Sequence, residues 1–159
     1  MNTDTAFTIR LATPADDQAR GHLLAPIYHE DGDKLATELA EVRAKYSDGG
    51  VLTPLLIAWV AVNDAGGIIA VLEAGMRLSA NGCETLNLLF IEGVAVAPAF
   101  RGAGVGAALM ATATQWARDR GIRELASDAE IDNAGSQRWH KMMGFTETER
   151  VICYRKQLD

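Results

Sequence analysis

The chain has 159 residues, 48% of them hydrophobic, and a net charge of −6. That length suits one domain with one core. No apolar run approaches the ~18 residues of a membrane span, and no basic face marks a nucleic-acid binder. Cys83 and Cys153 stand outside any CxxC spacing, and His22, His29 and His140 form no HExxH string, so neither a disulfide framework nor a metal site is expected. The opening MNTDTAFTIRLATPADD has no basic region followed by an apolar one. It does not read as a secretory signal, and the protein is expected to be soluble and cytoplasmic.

Taken in chain order, FTIRL at 7–11 alternates as a short strand. Thr13 and Pro14 then start a helix, as N-cap and first helical residue, that is expected to reach Tyr28. HEDGD at 29–33 is an acidic turn. Leu35, Leu39 and Val42 recur at i, i+4 and i+7 and predict a helix over 34–46, which SDGG at 47–50 ends. Strands are expected at 55–62 and 68–78, joined by the NDAGG turn at 63–67. SANGCET at 79–85 is another turn, and 87–97 is a long, nearly all-apolar central strand. Val105, Leu109, Thr112 and Trp116 share one face of a helix over 105–120, capped by Gly121. A strand at 123–128, a short helix at 135–143 and one or two strands within 145–158 complete the order βααβββαβαββ. This predicts a single α/β (α+β) domain over 1–159, a mixed central sheet with helices on both faces.

The stretch FIEGVAVAPAFRGAGVG at 90–106 carries the chemistry. Arg101, Gly104 and Gly106 fit Arg/Gln-x-x-Gly-x-Gly/Ala between a strand and a helix. Backbone N–H groups of such a loop, with the helix N-terminus behind them, can hold a pyrophosphate without a metal. The string from Gly102 to Ala107 also satisfies the dinucleotide fingerprint, with Glu124 about 20 residues on. Pro98-Ala99-Phe100-Arg101 separates it from its strand, however, and too little chain follows for further βα units. A phosphate-binding P-loop fails because no Gly-Lys-Ser/Thr follows the glycines.

The whole stretch resembles the acetyl-CoA-binding motif of the GNAT N-acetyltransferase superfamily. Asn133, Ser136 and WHKMMGF at 139–145 match its second CoA-contacting region. LASDAEIDN and GFTETERVICYRK narrow the resemblance to the bacterial aminoglycoside 6′-N-acetyltransferases, from Ile57 to Lys156. It fades in the first 50 residues, where Leu24-Ala25-Pro26 stands in for the family's Leu-Trp-Pro. The resemblance implies a GNAT fold, acetyl-CoA as cosubstrate, no metal, a polycationic aminoglycoside as acceptor, and a homodimer paired through its C-terminal strands. The alternatives are another small amine, a protein N-terminus, or a non-catalytic CoA-binding or dimerisation module.

Holding CoA falls to the amides of Arg101, Gly102, Ala103, Gly104, Val105 and Gly106, with the Arg101 side chain adding charge or lying plainly on the surface. The resemblance implies that Val94 and Val96 pair with the pantetheine arm, that the Val94 N–H polarises the thioester carbonyl, and that Asn133 and Ser136 contact CoA. Glu92 interrupts an apolar strand, where a carboxylate is costly unless paired or serving a site, and Gly93 beside it suggests a bulge. The resemblance sets Glu92 in the acceptor pocket, binding an ammonium and relaying a proton through water, with Asp128 facing the acceptor. Glu73, Asp31 and Asp33 are accessory acidic candidates that also read as ordinary strand and turn residues. His140 and Tyr154 stand as alternative general acids, or both as structural residues.

Overall fold

The computed structural model of the protein describes residues 6–46 and 56–158. The helix stop expected at 47–50 and the strand start expected at Leu55 lie outside the described residues. Strand β1 is Phe7–Leu11, and a single 3-10 turn at Pro14–Asp16 leads into α1, Asp17–Tyr28. Helix α2, Gly32–Tyr46, follows after a three-residue turn. Three strands come next, β2 (Leu56–Asn63), β3 (Ile68–Arg77) and β4 (Leu88–Val96). The remainder is α3 (Val105–Arg118), β5 (Leu125–Ser127) and α4 (Ala134–Met142).

The five strands lie in the order β1-β2-β3-β4-β5, antiparallel except for the parallel pair β4–β5, so the sheet is mixed as expected. Alternation along the strands sends side chains to opposite faces. On one face Trp59, Leu72, Leu89 and Ile91 pack with Val105, Leu109 and Ala113 of α3. On the other, Val60, Val71 and Ala95 pack with Leu24 of α1 and Leu35 of α2. Helices therefore cover both faces. Thr13 and Asp16 form a capping box at the start of the first helical segment, and Asp16 also takes two hydrogen bonds from Arg10 of β1 at 2.7 and 2.9 Å. Among the described residues, no helix is long and apolar enough to cross a membrane.

The C-terminal segment departs from expectation. No strand forms within 146–158, and every residue there is exposed. The β-branched and aromatic residues of Val151–Tyr154 satisfy strand propensity, but a strand also needs a neighbour for its N–H and C=O groups. The nearest edge, β5, spans only three residues. What holds the start of the segment is the β3–β4 loop, where Asn81 Nδ2 donates to Glu149 and Thr148 fills the space beside Gly82.

Candidate functional site

The loop after β4 opens through two left-handed positions, Gly102 and Gly104, both at φ +78°. Side-chain-bearing residues pay for that conformation, and a Cβ at either position would meet no protein atom within 4 Å. The concave side is thus left clear, with the amides of the first turn of α3 behind it. The N-terminus of α3 adds partial positive charge there. The loop suits an oxyanion such as a pyrophosphate on these two observations. Arg101 directs its Nε–H to the carbonyl of Val96 at 3.1 Å, so it braces the loop against its strand. Trp139 of α4 flanks the same turn, its Nε1 lying 3.6 Å from where a Cβ on Gly106 would stand. The Val105 side chain is buried in the core, leaving only its backbone for the loop.

Strand β4 continues past its partner. It pairs with β5 only at Leu89, Phe90 and Ile91, and from Glu92 to Val96 that side of the strand is open. The N–H of Ala97 donates to Ile69 of β3 at 2.8 Å. Alternation then turns the N–H groups of Val96 and Val94 the other way, into the gap that β5 leaves. The Arg101 bond to the Val96 carbonyl confirms that direction. A slot therefore runs along β4 to the glycine loop, and among the described residues the N–H groups of Val94 and Val96 in it have no acceptor.

Glu92 sits where the register slips. Glu73 opposes Gly93 and Ala74 opposes Ile91, so Glu92 is the extra residue of the bulge that Gly93 suggests from sequence. Its carboxylate lies over Gly75, where a Cβ would be 3.0 Å from Oε1, and both oxygens accept from Arg77 Nη2 at 2.9 Å. A cleft of about 290 Å³ opens above it, lined by Tyr28, Glu38, Leu39, Val42, Glu73 and Glu92 among others. Helices α1 and α2 form its roof and the sheet its floor.

Glu73 is 1% exposed and holds a buried ion pair with Arg20 of α1, which also donates to Asp17 at 3.0 Å. The Arg20 Nε–H is buried with no acceptor among the described residues. A cluster that leaves one donor unmatched is poorly optimised for stability, since such a group costs ~1–3 kcal/mol. It holds the Glu73 carboxylate in the floor of the cleft. Tyr28, absent from the sequence reading, stands between these groups. Its hydroxyl donates to Glu73 at 3.5 Å and lies 3.7 Å from the Cβ position of Gly93. Burial first, then the Glu73 and Glu92 charges, holds that hydroxyl well above the ordinary tyrosine range. It stays protonated and acts as a donor.

The remaining candidates separate into those near the slot and those away from it. Asp128 leaves the sheet one residue beyond the Ile91–Ser127 pair, beside the bulge, and makes no hydrogen bond or ion pair among the described residues. Asn133 caps α4, its Oδ1 accepting from the Ser136 N–H at 2.9 Å. His140 bridges α4 to the end of β5. One ring nitrogen lies 2.8 Å from Ser127 Oγ, the other 2.8 Å from the Ser136 carbonyl. Ser127 in turn donates to the Ile91 carbonyl at 3.1 Å, at the last rung before the slot. Tyr154 is 91% exposed and makes no hydrogen bond with another described residue. Asp31 accepts from the N–H groups of Asp33 and Lys34 and so caps α2, while Asp33 contacts His22 on the surface. Glu124, the acid that a dinucleotide fingerprint would use, instead clamps the loop before β4. It accepts from the Thr85 hydroxyl and from the Glu84 and Thr85 amides, which hold its carboxyl below the usual range.

Tyr28, Arg20, Glu38 and Arg77 escape sequence reading for a common reason. Each is an ordinary helix or strand-end residue until the fold brings it against Glu73 or Glu92. Glu92 and, more weakly, Glu73 carried a local signal, a carboxylate inside an apolar strand.

Residues 20–145 match the model of the acetyltransferase (GNAT) family. Over 156 residues the chain is 36% identical to an aminoglycoside N(6')-acetyltransferase type 1 of Stenotrophomonas maltophilia, covering 98% of this chain and 96% of that one. Two solved structures share the fold at a TM-score of 0.80. One is the aminoglycoside antibiotic 6'-N-acetyltransferase AAC(6')-Ih of Acinetobacter baumannii, 27% identical and covering 97% of this chain and 100% of its own. The other is AAC(6')-Iy in complex with the bisubstrate analog CoA-S-monomethyl-acetylneamine, 31% identical with the same coverage. A glycine loop at the end of a splayed strand, beside a cleft with carboxylates in its wall, is thus joined to a family match over most of the sequence, and the chain belongs to the GNAT family of acetyltransferases.

Proposed function

We propose that the protein is a cytoplasmic aminoglycoside 6′-N-acetyltransferase that uses acetyl-CoA and confers resistance to these antibiotics. The observation that carries this reading is the acidic cleft of Glu38, Glu73 and Glu92 opening beside the slot along β4. A polycationic amine suits such a wall, because each ammonium can pair with a carboxylate. The named relatives supply the acceptor class, and the clear loop at Gly102 and Gly104 supports the cofactor.

When bound, acetyl-CoA supplies a thioester whose C–S bond is exchanged for an amide C–N bond. The amides of residues 101–106 hold the pyrophosphate, with Asn133 and Ser136 of the neighbouring helix start beside them. Val96 and Val94 offer backbone hydrogen bonds along the slot, and the Val94 N–H is placed to donate to a carbonyl oxygen there. Glu92, with Asp128 across the slot and Glu73 below, holds the acceptor ammonium and passes its proton to water. Asp31 and Asp33 serve the α2 cap and the surface, and extend the negative field at the mouth. His140, reaching the slot through Ser127, and Tyr154 are the two proton donors for the leaving thiolate. Tyr154 requires the exposed C-terminal segment to settle against a sheet edge. A second copy offers one, and we include a homodimer in the proposal on the exposure of Val151, Ile152 and Tyr154.

Thiol release from acetyl-CoA tests the reading, with kanamycin or tobramycin compared with an analogue bearing a 6′-hydroxyl. Release with the 6′-amine alone is the expected result. Release with neither overturns the acceptor assignment. Sedimentation of the purified protein tests the dimer.

A further inference from the structure

Of the three glutamates that line the acceptor cleft, Glu73 and Glu92 each already have a guanidinium. The pairs differ in kind. Arg20 and Glu73 have side chains only 3% and 2% exposed, so that pair is sealed by the helices above it. Arg77 and Glu92 are 41% and 27% exposed. Arg77 ends β3, and its single Nη2 holds both Glu92 oxygens at 2.9 Å. The guanidinium carbon also stands 3.4 Å from the centroid of the Phe90 ring. Gly75 makes the arrangement possible, since a Cβ there would crowd Glu92 Oε1 at 3.0 Å.

A pair this open to water opens at little cost, whereas a sealed one leaves an uncompensated buried charge. Arg77 also has somewhere to remain when it lets go. The Phe90 face attracts a cation and carries the side-chain stem. With Arg77 in place, the pair is neutral, and an incoming ammonium gains nothing from Glu92 alone.

We propose that Arg77 is a specificity-determining residue, a built-in cation that occupies Glu92 until the acceptor's ammonium displaces it. The inference rests on the assignment of Glu92 to the acceptor. Displacement favours polycations. A substrate with several ammonium groups also gains from Glu38 in the cleft wall, and this offsets the lost Arg77 contact. A monoamine meets the same competitor with no such compensation. Arg77 thus acts by excluding weaker amines, as selectivity often requires a repulsive element.

The test is steady-state kinetics of Arg77→Met at saturating acetyl-CoA, against tobramycin and the monoamine 6-amino-6-deoxyglucose. Methionine keeps an apolar stem on Phe90 and removes the charge. KM for tobramycin is expected to fall about threefold with kcat little changed, the scale of an exposed ion pair. The monoamine gains more, so the preference for the polycation narrows. Arg77→Lys, which keeps the charge, stays near the parent enzyme. If Arg77→Met does not fold, Arg77→Gln serves the same test. An unchanged or raised KM overturns the proposal, because Arg77 then merely orients Glu92. Glu92→Gln separates the two layers. If it raises KM while Arg77→Met does not lower it, the displacement idea fails and the Glu92 assignment stands. If neither variant moves KM, both fail.

Discussion

Gly21 of α1 gives a prediction whose sign depends on tertiary structure. Helix propensity alone favours alanine over glycine in a helix interior by ~1 kcal/mol. The packing argues the reverse. A Cβ on Gly21 would stand 2.6 Å from the amide nitrogen of Ala36 and 2.6 Å from the carbonyl of Gly32. Both atoms are backbone of α2 and cannot swing aside as a side chain would. Overpacking a close contact costs ~1–3 kcal/mol or more, and contacts this short place Gly21→Ala at the upper end. After the propensity gain, a net loss of about 2 kcal/mol remains. At ~2–4 °C per kcal/mol for a domain of this size, the melting temperature falls by roughly 4–8 °C. The damage is local to the cleft roof, because α1 and α2 cover Glu73 and Glu92 while the glycine loop lies beyond β4. Acceptor KM therefore rises and acetyl-CoA KM holds. Thermal melts followed by circular dichroism, with both KM values, provide the assay. A variant that melts at or above the parent refutes the reasoning, since propensity would then outweigh the helix crossing.

Three further outcomes follow from the geometry. Gly104→Val places a β-branched residue at φ +78°, costing about 1–2 kcal/mol of stability, yet its Cβ meets no protein atom within 4 Å and stands on the clear face of the loop. Acetyl-CoA KM should rise about tenfold with acceptor KM unchanged, and an unaltered acetyl-CoA KM would remove the loop from the cofactor site. Asp16 is held well below the usual carboxylate range, first by its bond from Arg10 and then by the Thr13 amide after burial is offset. A depressed folded pKa means its stabilisation is complete above the ordinary value near ~3.9 and is lost as pH falls through the folded value. Asp16→Asn should cost about 1–2 kcal/mol at neutral pH, because Arg10 is half exposed, and the gap should begin to narrow in melts below about pH 4 and go on narrowing as pH falls toward the folded value. The proton donor is read from pH–rate profiles, in which His140→Gln or Tyr154→Phe should lose the limb that its residue supplies. A profile preserved in His140→Gln assigns that residue to bracing Ser127 alone.

Local patterns carried most of the fold. The threonine-proline start of the first helix, the apolar spacing of the second, and the turn glycines are decided within a few residues, so the sequence alone displayed them. The glycine loop was equally plain, because left-handed backbone at two positions between a strand and a helix needs glycine wherever it occurs. Glu92 announced itself as a carboxylate in an apolar strand, and Gly93 marked the bulge beside it.

The rest depended on what lies across space. Val151–Tyr154 has the propensity of a strand, but a strand exists only with a partner, and 146–158 has none among the described residues. Asp31 and Asn133, candidate site residues in the sequence, also cap helices, a role set by which N–H groups face them. Glu73 and Glu92 are similar in sequence, each a glutamate in an apolar strand. Burial separates them, because α1 delivers Arg20 to one and leaves the other to a water-accessible Arg77. Composition determined that this chain could build a core, and the glycine loop that it could hold a phosphate. Only the packing of α1 and α2 over the sheet decided which of its carboxylates stays open to an amine.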